Sequence, residues 1–391
     1  MAVTVTGTTG TFQSGNSAVI GGTGFGTRED NGGEKNYLPR LWDDFEDGLL
    51  DNWTFRVDGT SWEINTSQAR TNSTYCAHKK NEGTLDAMQI SPSSQSFYYT
   101  SFWMYLASDV NRLNNNKYFR AGSTDSNANL VWNSNSNNDD IQMTVEFAVG
   151  DTQVDVRSQK IDDLKGSWNF VEIMWGLPVL ESSNDFAQVT VNGYLSNFLP
   201  DSGGLWPPDE TMTKSPYISL GTWFSTTYGI GSGFFYDDVY IDYTQARVMI
   251  GNASTWDTCS HFEMQIPTSW SATSIVIDVN RGSFESTDSV YLYIFDEDGA
   301  YNSVGYLVNS VVVPVVSNLL CEGESEPSEV TDITPEFSAY ITKGTNNVSK
   351  VEIQMSATDA FDGDLVYDSG SLDLDPVLTA SGRTDDKSYG E

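Results

Sequence analysis

The chain has 391 residues, of which 20 are basic and 54 acidic, so its formal net charge is −34. This charge excludes binding to nucleic acid and to anionic membrane surfaces, because both require a surplus of Lys and Arg. Only 19% of the residues are charged while 13% are aromatic, and a chain so rich in aromatic residues is not a disordered one. We therefore expect a folded protein, long enough for two or three domains.

Short alternating segments recur along the whole chain. They combine β-branched and aromatic residues and are bounded by Gly, Asn, Asp and Ser; examples are TSFWMYL, IQMTVEFAVG, WNFVEIMWGL and FYDDVYIDY. Alternation with a period of two predicts half-buried strands. No window of the sequence has the apolar stripe of an amphipathic helix. The predicted fold class is therefore all-β.

Two separated parts of the sequence predict one domain. The segment SGNSAVIGGTGFGT, residues 14–27, resembles the opening of an IPT/TIG-type immunoglobulin-like domain, where a strand ends in a glycine-rich turn. Two strands cannot form a stable sandwich alone. Strand patterns after residue 246, which end in the hairpin DEDGAYNS, resemble the remainder of that family. We expect residues 1–36 and 246–316 to form a split immunoglobulin-like β-sandwich.

The intervening residues, 37–245, carry the most specific pattern. They open with LWDDFEDGLLDNWTF and close with FFYDDVYID, and between these an SFW strand, a WNFVE strand and a VTVNG hairpin follow in order. The order is similar to that of the concanavalin A-like lectin/glucanase family. This resemblance implies a jelly-roll β-sandwich that is inserted in the first domain.

The last part of the chain is the most acidic, with 16 acidic and 4 basic residues from Cys321 to Glu391. An acidic linker at 317–329 precedes residues 330–391, which are similar to a fibronectin type III or related immunoglobulin-like module. The strand pattern stops before such a module would be complete. We expect either a longer natural chain or a neighbouring subunit that supplies the missing strands, and hence a homo-oligomer or repeating assembly.

The sequence lacks the residue patterns that catalysis in this superfamily requires. Hydrolase members place two carboxyl groups about 5 Å apart on one strand, through a run of the type E-x-D-x-x-E that is absent here. Glu146 with Asp151, and Glu172 alone, come nearest to it. The two histidines, His78 and His261, fall in different predicted domains, which leaves no Ser-His-Asp or metal-hydrolase arrangement. We expect no catalytic residues and no enzyme.

Acidic residues at both ends of the predicted jelly roll are candidates for a structural calcium site. Asp43, Asp44 and Glu46 open the domain, and Asp237 with Asp238 closes it. First and last strands pair in a jelly roll, and members of the resembled family often hold calcium at this junction. Calcium prefers carboxylate and carbonyl oxygens. The alternative is that these carboxylates are turn and edge-strand residues.

Aromatic and amide residues in predicted loops are candidates for glycan binding. Sugars stack on Trp and Tyr rings while amide groups bond their hydroxyls. The candidates are Trp132, Asn133, Trp206, Trp223 and Tyr228. The alternative for each aromatic residue is packing in the core.

These patterns predict a non-enzymatic surface or virion structural protein, such as a phage decoration, tail-associated or fibre protein, that binds surface glycans and assembles with other subunits. No signal-peptide pattern occurs in Met1–Gly26, which favours a virion over an exported protein. The three cysteines, Cys76, Cys259 and Cys321, form no disulfide framework. Val304–Leu320 is interrupted by polar residues and Pro, so we expect no membrane insertion. Alternatives are a bacterial extracellular adhesin or filament subunit, and a polysaccharide-degrading jelly-roll enzyme.

Overall fold

The computed structural model describes most of the first 308 residues and short strands beyond them. The described ranges are 2–28, 38–81, 85–93, 95, 97–110, 116–123, 129–134, 140–146, 154–176, 186–199, 216–222, 231–308, 315–321, 325, 337–342, 350–351, 354–356, 365–368 and 372–373. Within them the only helical elements are two single 3₁₀ turns, Ile161–Asp163 and Trp256–Thr258. The predicted all-β fold class is confirmed. No helix in the described ranges is long and apolar enough to cross a membrane.

The strands are short and follow the predicted alternating segments. In chain order they are β1 Thr4–Gly10, β2 Ser17–Thr23, β3 Leu41–Asp43, β4 Thr54–Phe55, β5 Trp62–Asn65, β6 Cys76–Lys79, β7 Met88–Ile90, β8 Phe97–Leu106, β9 Lys117–Ser123, β10 Asn129–Ser134, β11 Asp140–Glu146, β12 Val154–Lys160, β13 Trp168–Gly176, β14 Phe186–Val191, β15 Tyr194–Leu199, β16 Pro216–Leu220, β17 Phe234–Asp242, β18 Arg247–Gly251, β19 Phe262–Trp270, β20 Ser274–Asp278, β21 Val290–Phe295, β22 Tyr306–Val308, β23 Val315–Cys321, β24 Phe337–Thr342, β25 Lys350–Val351, β26 Gln354–Ser356, β27 Leu365–Asp368 and β28 Leu372–Asp373.

Sheet I joins the two ends of the first 308 residues. Its strand order is β1-β2-β20-β19-β18-β21-β22, and all its described pairs are antiparallel. β2 pairs directly with β20, so that Ser17 lies opposite Asp278 across 260 residues of sequence. Alternate residues of both strands, such as Ile20 and Ile277, are buried in one apolar core. The N-terminal strands therefore depend on strands from the far end of the unit.

Sheets II and III form the jelly-roll β-sandwich. Sheet II has the order β12-β11-β10-β9-β16-β7-β4, and sheet III has the order β15-β14-β13-β8-β17-β6-β5 with β3 paired to β17. Their facing sides share a second apolar core that contains Phe102, Trp132, Trp175 and Phe234. Every pair in these sheets is antiparallel, as in a sandwich whose strands alternate inward and outward residues.

The outer side of sheet III is also buried, because it packs against sheet I. Tyr99, Trp103 and Tyr240 of sheet III share a third apolar cluster with Met249 and Phe262 of sheet I. The chain divides into two compact units, Met1–Glu285 with Val290–Val308 and Ser286–Ser289 with Asn309–Glu391, and all three sheets belong to the first. In the second unit, the described strands form three antiparallel pairs, β23 with β24, β25 with β28 and β26 with β27. The finer domain boundaries and the fibronectin-like assignment stay predictions.

The dependence of sheet I on its N-terminal strands is testable with a fragment. Residues 246–316 alone lack β1 and β2, so the core side of β20 would be exposed along the β2 edge. A sheet core missing this much buried apolar area is not stable. We expect the purified fragment to show no cooperative thermal transition by circular dichroism, whereas the full chain does. A cooperative transition in the fragment would contradict the split-domain prediction.

Candidate ligand-binding face

Sheet II turns a polar side away from the apolar core. In β10, Leu130 and Trp132 lie in the core cluster, and the residues between them project to the opposite side because side chains alternate along a strand. The same alternation in the neighbouring strands brings further hydrogen-bonding side chains to that side. We call this set the polar face: Lys117, Arg120, Asn129, Asn133, Gln142, Thr144, Tyr217 and Ser219.

One row of the polar face, meaning residues that lie opposite one another on neighbouring strands, has a glycine at its centre. Gly122 of β9 lies between Asn129 of β10 and Tyr217 of β16. Over it, the Tyr217 hydroxyl donates a hydrogen bond of 2.5 Å to Asn129 Oδ1. A Cβ atom on Gly122 would lie 2.3 Å from Asn129 Oδ1 and 2.7 Å from the Tyr217 hydroxyl oxygen. The glycine is therefore required for the contact between the phenol and the amide.

The next row carries a cation. Arg120 pairs with Ser219 on one side and with Val131 on the other. Its guanidinium carbon lies 5.9 Å from the centre of the Tyr217 ring, within reach of a cation–π interaction. A positive charge and a phenol thus lie side by side on the polar face.

The remaining polar side chains bond to one another. Gln142 Nε2 donates to Thr144 Oγ1 at 3.2 Å, and Thr144 Oγ1 donates to Asn133 Oδ1 at 3.4 Å. Asn133 Nδ2 donates to the carbonyl oxygen of Ser134 at 3.0 Å. Lys117 lies opposite Asn133 in the strand register. These bonds fix the amide orientations, so that the row presents a defined pattern of donors and acceptors.

The polar face is buried although it does not belong to the core. The exposed fractions are 5% for Lys117, 2% for Asn133 and 1% for Thr144, while Arg120 and Tyr217 are half-buried. Lysine is rarely buried unless it is paired, and Lys117 interacts with other groups of the protein. Hydrogen-bonding groups that are shielded from water interact more strongly with a polar partner than exposed groups do, because the local dielectric constant is low.

The structure changes the interpretation of the predicted glycan-binding residues. Trp132 lies within strand β10 and not in a loop, and its side chain is fully buried against the Tyr118 ring in the core, so no indole face is open to a sugar. In the sequence NLVWNS, amide residues flank three apolar ones, and these amide groups made a strand look like a loop. Asn133 does lie on the polar face. Trp206, Trp223 and Tyr228 lie outside the described residues.

The predicted calcium residues do lie at a junction of first and last strands. β3 pairs with β17, and Asp43 is opposite Val239. However, Asp43 accepts hydrogen bonds from the Phe45 amide and the Trp53 indole, and the Glu46 carboxylate accepts the amides of Thr74 and Tyr75.

The other predicted calcium ligands have different surroundings. The Asp44 carboxylate accepts the Glu46 amide, and Asp238 forms an ion pair with Arg70. Asp237 is fully buried, and its Oδ2 atom has no hydrogen-bond partner. Among the residues that the structure describes, no group of three or more His, Cys, Asp or Glu side chains is arranged to hold a metal ion. Calcium binding stays a prediction.

A buried charge network links the jelly roll to sheet I. Arg70 forms ion pairs with Asp238 of sheet III and with Glu263 of sheet I, and its guanidinium lies 4.1 Å from the centre of the Trp103 ring. Burial raises the pKa of Asp238 to about 7, although the Arg70 charge opposes that rise. The pKa of Glu263 is lowered because Arg70 and His261 outweigh its burial. Arg70 therefore compensates carboxylates from two sheets.

A serine, a histidine and a carboxylate meet beside this network without forming a catalytic triad. His261 Nε2 lies 2.9 Å from Ser283 Oγ and 2.8 Å from Glu263 Oε1. A triad requires the two imidazole nitrogens to bond the acid and the nucleophile separately, whereas here one nitrogen faces both. Ser283 Oγ also donates to Glu263 Oε1. The arrangement does not activate the serine.

Glu172 and His78, two further residues considered for catalysis, are held by contacts within the structure, while Asp151 lies outside the described residues. Glu172 is buried, accepts a hydrogen bond of 2.7 Å from the Tyr99 hydroxyl and pairs with Arg247 at 3.1 Å. His78 stacks on Phe235, with 4.2 Å between ring centres. Both residues are explained by packing.

The sequence did not identify most residues of the polar face as candidates for ligand binding. Arg120, Asn129, Gln142 and Tyr217 come from four strands, and nothing in the sequence marks which strands are neighbours. A partial local signal exists in NLVWNS, which places Asn129 and Asn133 four residues apart and therefore on one side of a strand. Once their pairing is known, these alternating positions define one side of a sheet.

The comparisons with known proteins bear on the fold. No family model matches the chain, and no curated protein matches it. Among similar solved structures, the cellulose-induced protein Cip1 has a TM-score of 0.38 and 14% identity, covering 52% of this chain and 98% of its own. An endo-β-1,4-glucuronan lyase from the fungus Trichoderma reesei has a TM-score of 0.36 and 10% identity, with coverages of 53% and 96%. Alginate lyase vAL-1 from Chlorella virus has a TM-score of 0.33 and 12% identity, with coverages of 47% and 94%.

These structures correct one prediction of the sequence analysis. They are mainly polysaccharide lyases, and this contradicts the prediction of a non-enzymatic surface or virion structural protein. The β-sandwich fold is shown by the strand pairing described above. With identities of 10–14% and TM-scores of 0.33–0.38, these likenesses assign no activity to this chain. The expectation of no enzyme is accordingly left open, and the polar face must be judged by its own chemistry.

The buried network predicts a strong effect of one substitution. Arg70→Met keeps the length of the side chain but removes the charge that compensates Asp238 and Glu263. Breaking a buried ion pair by removing one partner costs about 3–5 kcal/mol. We expect chemical denaturation of the full chain to show a loss of this size. The matched control is Arg40→Gln, since Arg40 is exposed; equal effects of the two substitutions would contradict the structural role of Arg70.

Proposed function

We propose that the polar face of sheet II binds a polysaccharide that carries carboxylate groups. The observation that supports this most directly is a set of buried hydrogen-bonding side chains, with two cations among them, on the side of the sheet that faces away from the core. Amide and hydroxyl groups such as those of Asn133 and Thr144 match the hydroxyl groups of sugars. The Tyr217 ring, half-buried beside them, offers a surface for stacking on a sugar ring.

The charge distribution selects acidic over neutral sugars. The chain has only 20 basic residues against 54 acidic ones, and its overall charge repels polyanions. Lys117 and Arg120 nevertheless lie on the polar face. A guanidinium bonds a carboxylate through two parallel hydrogen bonds, which gives both affinity and orientation. These two cations support a ligand that carries negative charge.

Binding is testable with defined polymers. Arg120→Gln should weaken retention of the full chain in gels that contain alginate or polygalacturonate, because a hydrogen bond to a charged group contributes about 1.5–3 kcal/mol, or at least tenfold in affinity. Arg40→Gln removes an exposed charge that lies outside the polar face and should leave retention unchanged. Dextran, which is neutral, serves as the control polymer.

Two results would count against this proposal. If Arg120→Gln and Arg40→Gln weakened retention equally, the attraction would be a general charge effect. If the wild-type chain bound dextran as tightly as alginate, the carboxylate would not be the recognised group. Measuring at two salt concentrations separates screening of exposed charges from contacts on the buried polar face.

A second candidate function, cleavage of the bound polymer by β-elimination, is favoured by the contact between Tyr217 and Asn129. In this reaction a base removes the proton from the carbon beside the carboxylate, a double bond forms, and the glycosidic carbon–oxygen bond breaks as its oxygen receives a proton. A phenol held by Asn129 can transfer such protons. Arg120 beside it would stabilise the negative charge that develops on the carboxylate.

Cleavage is testable by the ultraviolet absorbance of the unsaturated product. Tyr217→Phe should reduce the rate by about 10²–10⁴-fold, the usual contribution of a positioned acid or base, while retention in alginate gels changes little. Gly122→Ala should act similarly, because its Cβ would displace both the phenol and the Asn129 amide. A wild-type chain that binds uronate polymers but releases no unsaturated product would exclude cleavage and leave the binding proposal intact.

A further inference from the structure

One end of the jelly-roll core contains several polar atoms that lack partners. Asn116 precedes β9, and its side-chain nitrogen and oxygen are both buried without a hydrogen bond. The same holds for the Tyr118 hydroxyl, the Trp132 indole nitrogen and the Thr222 hydroxyl. The exposed fraction of each of these four residues is 0% or 1%. We call this set the polar end of the core.

Hydrogen bonds and a ring contact place these residues together. The Ser134 amide donates to the Asn116 carbonyl at 3.0 Å, and the Asn116 amide donates to Ser134 Oγ at 3.0 Å. The Tyr118 and Trp132 rings meet edge to face, with 5.5 Å between their centres. The Thr222 amide donates to the Lys117 carbonyl, next to Tyr118. The strand ends of β9, β10 and β16 therefore converge on one region.

The surroundings of Tyr118 support a shared polar space. Burial raises the pKa of its phenol, and the side chains of Ser134 and Asn116 oppose that rise because they lie near its oxygen. Neither side chain reaches hydrogen-bond geometry with the hydroxyl. The groups thus lie near one another, but the hydroxyl has no hydrogen bond of good geometry to either side chain.

Each unpartnered buried polar group lowers the free energy of unfolding by about 1–3 kcal/mol. Several such groups in one place would destabilise the core strongly. A buried water molecule normally bonds two to four such groups. The polar end of the core offers donors and acceptors in the required mixture, since Trp132 donates only, whereas Asn116 both donates and accepts. We propose that it is a binding site for ordered water, which bridges Asn116, Tyr118 and Trp132 and so fixes the ends of β9 and β10.

This site is distinct from the polar face, although the two share strands. Asn116 and Ser134 lie on the core side, and their chain neighbours Lys117 and Asn133 lie on the polar face. The bound water would hold the strand ends that carry those two residues. It does not depend on which ligand the polar face takes.

The proposal is tested with Tyr118→Phe in the full chain. If water bonds the hydroxyl, the substitution removes a satisfied hydrogen bond, and the equilibrium constant of folding should fall roughly five- to tenfold. Tyr236→Phe is the reference substitution. The Tyr236 hydroxyl donates to the Tyr118 carbonyl at 2.9 Å, so this substitution measures the loss of stability when a known hydrogen bond is removed. A high-resolution crystal structure should show electron density for water between Asn116, Tyr118 and Trp132.

The opposite results are equally definite. A hydroxyl that is buried without water would be a penalty, so Tyr118→Phe would then leave stability unchanged or raise it, and no density would lie between the three side chains. Density for a sugar or another solute in crystals grown with it would assign the site to a ligand. Either finding would overturn the proposal of bound water.

Discussion

The architecture of the first unit depends on burying both sides of sheet III. All nine residues of β17, Phe234–Asp242, are buried. One side packs in the jelly-roll core, where Phe234 and Tyr236 lie, and the other packs against sheet I through Tyr240. An antiparallel sheet usually leaves one side to water. Here the second side is covered, so its polar residues must find partners within the protein.

The charges on the buried side of β17 are compensated by arginines from distant parts of the chain. Arg28 pairs with Asp242 and donates to the Tyr240 hydroxyl at 2.9 Å, and Arg70 pairs with Asp238. Removing two ions from water costs several kcal/mol each, and this cost offsets much of the free energy that the pairs contribute to stability. However, these ion pairs form only when sheet III packs on sheet I in the correct register. We infer that they specify the docking of the two sheets.

The sequence predicted features that depend on neighbouring residues, such as the strands. It did not predict features that depend on which strands pair. The all-β class and the strands WNFVEIMWG and FFYDDVYID follow from alternation, which is a property of neighbouring residues. Trp132 was misplaced because amide-rich sequence around a strand resembles a loop. The polar face could not be predicted, since Tyr217 meets Asn129 only after β16 and β10 pair with the two edges of β9. Gly122 had no sequence signal at all.

Two buried polar regions of the first unit, the Arg70 network and the polar face, differ in the contacts described for their side chains. Around Arg70, each charged group bonds a group from another sheet, so the network is explained by the joining of sheets III and I. On the polar face, the described bonds of Tyr217, Asn133 and Gln142 join side chains of sheet II to one another. Side chains that are held in a fixed orientation can match a ligand without rearranging. This arrangement therefore suits the proposed glycan better than the Arg70 network does.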